Sequence, residues 1–417
     1  MKNFFYGWRM VGAASGIQFL QAGLLYQAFG AYVAILTEER GWSKTALSGG
    51  SAVQAMEAAV LGPLLGWIID RFGPKWMIRA GVLLMGAGFM ILSQLDSLMG
   101  FYGAIIVIAF GSSLCGFFPL NVAVINWFDR QRGKALSGVA MGLALGGVAV
   151  PAVAWAMVEF GWRNTAFGSG LLIMLVGFPL ATVFRSRPED FGEVPDGKEF
   201  VARAEKDETM GPRRLSPGFT ATEAMRTSAF WLLAFGHGFA LFVVTAVNTH
   251  AISHMKEGLG YTVTQASLVI TIMTLFQIAG VALGWFIGDR FPKRFIAAGC
   301  MVGHCLGMLL LTYASNPVML VLFAVVHGTA WGLRGPFMQA LRADYFGREA
   351  IGKIMGFSSL IIVIGQVGGP VIAGYLTDVT GNYELGFTVL ALAAGAGTLM
   401  FLNARPPAPP VRPAAAA

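Results

Sequence analysis

GWIIDRFGPK, residues 66–75, and GWFIGDRFPK, residues 284–293, are two versions of one phrase, the second beginning 218 positions after the first. Each ends a long apolar run with an aspartate, an arginine and a lysine. A second pair keeps the same spacing: WFDRQRGKALSG starts at Trp127 and YFGREAIGKIMG at Tyr345. Pro119 matches Pro336, and Pro151 matches Pro370, each within one position of that offset. Self-similarity at a fixed long period marks a duplicated architecture, so the chain reads as two halves of like construction.

Working outward from the phrase, the flanking sequence is strongly apolar. Hydrophobic residues make up 56% of the 417 and charged residues only 12%, a balance suited to a bilayer. Runs long enough to cross about 30 Å of hydrocarbon fall at 10–36, 45–69, 76–94, 98–127, 135–158, 164–184, 229–254, 265–288, 294–313, 318–343, 354–376 and 384–402. The expected fold is an all-α membrane protein of twelve transmembrane helices in two six-helix halves, residues 1–184 and 229–403. Between them, 185–228 holds the mixed-charge stretch RSRPEDFGEVPDGKEFVARAEKDETMGPRR and is expected to be a cytoplasmic linker. The tail 404–417, rich in proline and alanine, is expected to be disordered.

Lysine and arginine set the orientation. With both termini in the cytoplasm, only Arg40, Lys44, Arg163 and Lys256 fall outside, and Arg334 lies inside a run; all the other basic residues are cytoplasmic. The net charge of +7 therefore reflects positive-inside bias. With no soluble basic domain, a nucleic-acid partner is excluded. The first run lacks a small-residue cleavage site and reads as a retained helix. Cys115, Cys300 and Cys305 fall in helices without metal spacing, and no cofactor or metal is expected.

Gly66-x-x-x-Asp70-Arg71-x-Gly73-Pro74-Lys75, between the second and third runs, resembles the signature of the major facilitator superfamily, and its weaker copy sits six helices later. YGWRM, GWSKTALSG and EAMRTSAFWLL, which open the first, second and seventh runs, are similar to the monocarboxylate-porter and oxalate/formate-antiporter branches. The resemblance implies alternating access, with substrate bound near the midplane between the halves, where the first, fourth, seventh and tenth helices line a cavity. Gly66, Asp70, Arg71 and Gly73, with Asp289 and Arg290 of the second copy, would form a conformational latch. A carboxylate at a helix end can accept hydrogen bonds from a neighbouring helix N-terminus and its cations. The basic residues nearby could equally serve only to anchor topology. Gly138, Gly142 and Gly146, then Gly147 and Pro151, and likewise Gly365, Gly369 and Pro370, would allow close helix contact with a bend. In the resembled superfamily those two helices line the interface between the halves. One departure stands out. The porters carry an arginine in the eighth helix, where Val281 occupies the corresponding place, and the antiporters' lysine in the eleventh is missing too.

Depth singles out two charges. Arg334 precedes Asp344 by ten residues and Glu57 precedes Asp70 by thirteen, or about 15 Å and about 20 Å of helix. Both lie near the middle of the bilayer, where an arginine costs about 2.5–3.5 kcal/mol and normally faces a cavity or a partner. Arg334 is expected to bind an anionic substrate and Glu57 to carry a coupled proton, unless the two simply pair or Glu57 bonds locally, for instance to Gln54. His327, Trp331 and Arg334 share one helical face, and an imidazole, an indole and a guanidinium there suit a small anion with an apolar body. Asn121, Tyr26 and His237 join them as candidate substrate contacts. His237 and His327 could equally be helix–helix hydrogen-bonding residues. His304 reads as structural, and His250 and His254 as solvated near the outer surface.

The function expected is secondary active transport of a small organic anion, a monocarboxylate first, coupled to protons. The alternative is a proton-coupled exporter of amphipathic compounds. No H-E-x-x-H or catalytic serine or cysteine constellation supports an enzyme, and no signalling domain supports a sensor. The partners are then a small molecule, protons and the lipid bilayer. The expected form is a monomer, multi-pass in the plasma membrane, which is the inner membrane in a Gram-negative cell.

Overall fold

A computed structural model describes residues 5–42, 44–198, 202 and 218–410. Helices carry the fold, and no strand occurs among the described residues. The chain forms two compact units, Met1–Pro212 and Arg213–Ala417. The first contains α1 (Tyr6–Arg40), α2 (Lys44–Phe72), α3 (Pro74–Leu92), α4 (Leu98–Trp127), α5 (Arg132–Phe160) and α6 (Trp162–Thr182). The second contains α7 (Ser228–Glu257), α8 (Val263–Ile287), α9 (Lys293–Thr312), α10 (Pro317–Phe346), α11 (Ile351–Thr380) and α12 (Glu384–Asn403).

Eleven of these are long and apolar enough to cross a membrane among the described residues, and α2 is a continuous helix of 29 residues. Their ends follow local chemistry. Ser97, Thr227 and Asn316 each accept a hydrogen bond from a backbone N–H three residues on, and Thr262 with Gln265 forms a reciprocal capping box. Such caps satisfy N–H groups that a helix start leaves without an intrahelical partner.

Several spans are not regular throughout. α1 contains a π turn at Ala22–Tyr26, α4 is interrupted at Gly116 three residues before Pro119, and α5 tightens to a 3-10 turn at Gly146–Ala149 ahead of Pro151. α10 and α11 run unbroken through Pro336 and Pro370. Proline has no N–H for the carbonyl four residues back. In α11 that carbonyl belongs to Gln366, and Thr245 of α7 supplies the missing donor, its Oγ1 lying 2.8 Å from it. His250 of α7 adds a bond one turn on, from Nε2 to the carbonyl of Pro370 at 3.0 Å.

The glycines of α5 and α11 mark equivalent contacts in the two units. α5 packs on α1 so closely that a Cβ on Gly142 would strike the Ser15 carbonyl; α11 packs on α7 so closely that a Cβ on Gly369 would strike the Phe242 carbonyl. Without a hydrophobic drive between helices in lipid, such close backbone approach supplies the packing energy.

The described edges of the interhelical segment are held by specific contacts. The Arg185 guanidinium lies over the rings of Tyr6 and Phe191 at 3.8 and 4.2 Å. Buried Asp196 accepts backbone N–H bonds from Asp129, Arg130 and Gln131 just ahead of α5. On the far side, Phe219 N–H donates to the Phe346 carbonyl at 3.0 Å, and a capping box at Thr220 starts a short helix, Ala221–Met225. Of the linker expected at 185–228, residues 199–201 and 203–217 lie outside the described residues. The tail begins buried: Tyr345 Oη donates to the Ala404 carbonyl at 2.6 Å, and 411–417 lie outside the described residues.

Candidate functional site

The deepest charges of the second unit lie on one face of α10. Arg334 is 1% exposed, and its Nε and Nη1 have no hydrogen-bond partner among the described residues. His327 and Arg342 lie on the same helix, and Arg334 makes no salt bridge among the described residues. A buried guanidinium with nitrogens that lack an acceptor is a costly state, and an anion is chemically suited to relieve it.

Arg342 is a second buried cation, which sequence reading missed. It follows Arg334 by two helical turns and shares its face, but it stands two residues before Asp344 near the expected cytoplasmic end of the span, so the sequence places it with the cytoplasmic basic residues. Instead it is 2% exposed, and each of its three guanidinium nitrogens is hydrogen-bonded. Nε and Nη2 donate to Ser358 Oγ of α11 at 3.1 and 2.8 Å, Nη1 to the Met338 carbonyl at 2.9 Å, and Nη2 to His237 Nδ1 at 3.3 Å. Arginine can only donate, so His237 accepts at Nδ1 and carries its hydrogen on Nε2. His237 is thus committed to tying α7 to α10 through Arg342.

His327 is likewise committed. Its Nδ1 lies 3.3 Å from His304 Nδ1 on α9, with ring centroids 4.6 Å apart and neither ring exposed. Both Nε2 atoms have no partner among the described residues. Of the expected stripe His327–Trp331–Arg334, the indole of Trp331 is half-buried against the unit's apolar core, and Arg334 has two nitrogens without a partner among the described residues. The remaining histidines correct the sequence reading. His254, expected to be solvated, is 3% exposed, bonded through Nε2 to the Leu311 carbonyl at 3.0 Å and packed on the rings of Tyr383 and Phe387. His250 is held by Pro370 and Tyr383.

In the first unit, polar residues from α1, α2 and α4 meet. Glu57 is half-buried and accepts a hydrogen bond from Ser113 Oγ at 2.8 Å, while its Oε1 has no partner among the described residues. Tyr26, at the π turn of α1, is half-exposed and bonds Ser112 Oγ at 2.8 Å. Adjacent serines on α4 thus hold the phenol and the carboxylate. Gln21 reaches the Ser112 carbonyl at 3.3 Å and Cys115 Sγ at 3.2 Å. Asn121, 1% exposed just past Pro119, has neither amide atom bonded among the described residues.

The two copies of the repeated phrase differ in detail. Gly73 adopts φ 77°, a conformation that favours glycine, and a Cβ there would meet Ser186 Oγ at 2.6 Å. Gly66 is buried, Asp70 is half-buried, and Arg71 is exposed with its guanidinium over Trp67 and Phe72. In the second copy Lys293 bridges Asp289 at 3.3 Å and Asp344 at 2.8 Å, while Arg290 is exposed. No group of three or more metal-ligating side chains occurs among the described residues.

Comparison with known proteins agrees with the fold. The family model of the Major Facilitator Superfamily matches residues 14–251 and 233–417. Monocarboxylate transporter 13 of Bos taurus is 26% identical over 423 residues, covering 95% of this chain and 89% of its own. The probable sulfoacetate transporter SauU of Cupriavidus necator is 24% identical over 393 residues, covering 88% and 87%. Among solved structures, the proton:xylose symporter XylE superposes with a TM-score of 0.76 at 15% identity, over 95% of each chain.

Proposed function

This chain belongs to the major facilitator superfamily, a family of transporters rather than enzymes, and from that premise we propose that it moves a small organic anion by proton-coupled alternating access. The observation that carries the reading is Arg334: a buried guanidinium with two nitrogens that have no hydrogen-bond partner among the described residues. A membrane-embedded arginine costs about 2.5–3.5 kcal/mol, and a bound carboxylate or sulfonate would offset that by charge neutralisation and by accepting its N–H bonds. Two relatives named for a monocarboxylate and for sulfoacetate support an organic acid as cargo.

In this reading Arg334 captures the acid group, and the half-buried indole of Trp331, three residues away on the same face, offers apolar surface to its body. Asn121, with both amide atoms open, and Tyr26 are candidate contacts from the first unit, and Glu57 is the carboxylate that can carry a proton. His237 and His327 act through their bonds to Arg342 and His304. Basic residues at the linker side of the spans favour both termini in the cytoplasm of a plasma-membrane protein.

The test is counterflow in proteoliposomes against acetate, lactate, pyruvate, sulfoacetate, oxalate and a lipophilic cation. Wild type should exchange one of the acids saturably. Arg334→Lys keeps charge but loses the planar fork. A lost hydrogen bond to a charged group is worth about 1.5–3 kcal/mol, so affinity should fall roughly tenfold or more. Glu57→Gln should abolish uptake driven by a pH gradient and preserve exchange. Unchanged affinity and turnover in Arg334→Lys and Arg334→Gln, or saturable exchange of the cation alone, would overturn the proposal.

A further inference from the structure

We propose that the start of α3 holds the phosphate of an anionic phospholipid beside Lys75, Arg79 and the ring of Trp76. The inference concerns the outer surface of the first unit and is independent of Arg334 and of the cargo.

The two copies of the repeat act as each other's control. At the offset of 218, Lys75 corresponds to Lys293, Arg79 to Ala297 and Asn126 to Asp344. In the second unit the lysine is neutralised by Asp289 at 3.3 Å and Asp344 at 2.8 Å. In the first unit an amide takes the place of Asp344, and Asn126 donates to the Ser186 carbonyl at 3.4 Å. The Lys75 ammonium rests on Trp76, 5.2 Å from the ring centroid. Arg79 brings a second cation where the second unit has buried Ala297, and its guanidinium lies 5.1 Å from the same ring. α6 fixes that guanidinium. Nη2 donates to the Thr182 carbonyl at 3.1 Å and Nε to the Ala181 carbonyl at 3.5 Å, which leaves Nη1 as a donor. Neither Lys75 nor Arg79 forms an ion pair among the described residues. α3 begins after Gly73 without a side-chain cap, so the positive end of its dipole adds to the two cations. Two cations at one ring, without the carboxylate that the other copy has, suit an anion from outside the chain.

Position decides which anion. Trp76, Ala80, Leu83 and Ile91 make an exposed stripe along α3, and Leu172 and Leu175 are exposed on α6, which packs beside it. On a membrane transporter an apolar surface of that length is covered by acyl chains. Tryptophan at the end of such a stripe marks the level of the headgroups, and basic groups between helices at that level bind lipid headgroups. A free phosphate would use the cations and leave the stripe idle; a phospholipid uses both. A phosphatidylglycerol head carries net negative charge, whereas a choline head brings a cation of its own to a place that already has two.

The experiment titrates the full-length protein in mild detergent with dioleoylphosphatidylglycerol and counts bound lipid by mass spectrometry of the intact complex. Wild type should retain it more tightly than phosphatidylcholine of the same chains. One cation near the surface contributes about fivefold to the binding of an anionic lipid. Lys75→Gln should therefore weaken the first bound phosphatidylglycerol by about that factor. Asn126→Asp puts back the carboxylate of the second copy, and should weaken it likewise while leaving every cation in place. Both variants keep the Arg79 bonds to α6, and thermal unfolding checks that they fold. Arg294→Gln removes a cation lying over the exposed ring of Phe295 in the second copy, and should change nothing. Glycerol phosphate, which has the headgroup chemistry without the chains, should not compete at the same concentration. Unchanged affinity in either first-copy variant, an equal loss in Arg294→Gln, equal retention of phosphatidylcholine, or competition by glycerol phosphate would overturn the proposal.

Discussion

Thr245 offers a quantitative test of how α7 and α11 are held together. Its hydroxyl donates to the Gln366 carbonyl at 2.8 Å, which Pro370, four residues on, cannot serve. Thr245→Val preserves shape and removes the donor. Interhelical side-chain hydrogen bonds in membranes average about 0.6 kcal/mol and reach about 1.7. The hydroxyl can instead donate to the Leu241 carbonyl of its own helix, at 2.7 Å, so the loss should lie towards the lower figure. Pro370→Ala restores an N–H to Gln366 within α11. In that background Thr245→Val should cost almost nothing, so the double-mutant coupling should equal the whole loss seen in the wild-type chain. Reversible unfolding in mixed micelles, titrated with a denaturing detergent, measures all four corners. If Thr245→Val costs the same with and without Pro370, within about 0.3 kcal/mol, the hydroxyl is not substituting for the missing N–H.

Gly369→Ala should destabilise the fold by about 1–3 kcal/mol, since its Cβ would strike the Phe242 carbonyl, whereas Gly395→Ala, with open space around it, should be neutral in the same titration. Burial is the largest influence on Asp196 and raises its carboxyl above the ordinary range despite three backbone N–H donors. The folded chain therefore holds that proton to higher pH than the unfolded one. The stability linked to it is complete below the unfolded pKa and is lost as pH rises through the folded pKa. Asp196→Asn should flatten the thermal midpoint's dependence on pH just above the usual carboxylate range, and an unaltered slope would refute the assignment. If Asp70 is a latch, Asp70→Asn should slow counterflow while leaving equilibrium anion affinity within about twofold, because the residue is some fifteen to twenty ångströms along the helix from the midplane; collapsed affinity with normal exchange kinetics would count against it.

The fold was legible because lipid makes it a matter of counting. Every backbone polar group must be satisfied inside the hydrocarbon, so apolar runs of sufficient length become helices, and α7 and α10 overrun their expected ends by only a few residues. The linker was less legible. Asp196 and Phe219 look like loop residues by composition, and only the backbone donors near Asp129 and the carbonyl of Phe346 give them a place. Arg334 could be found by its depth alone. Arg342 could not, because its burial depends on His237, 105 positions earlier, and on Ser358 in the next helix.

The sequence by itself determined twelve helices, their duplication and the presence of a cation too deep to reach water. These depend on composition, period and rise per residue, which are properties of one segment at a time. Only the tertiary structure decided which polar residues were already committed. His327 on the predicted binding face turned to His304, and His237 to Arg342, while Arg334 kept nitrogens open. Hydrogen bonds satisfy a donor by distance and angle, and helices far apart in sequence set both.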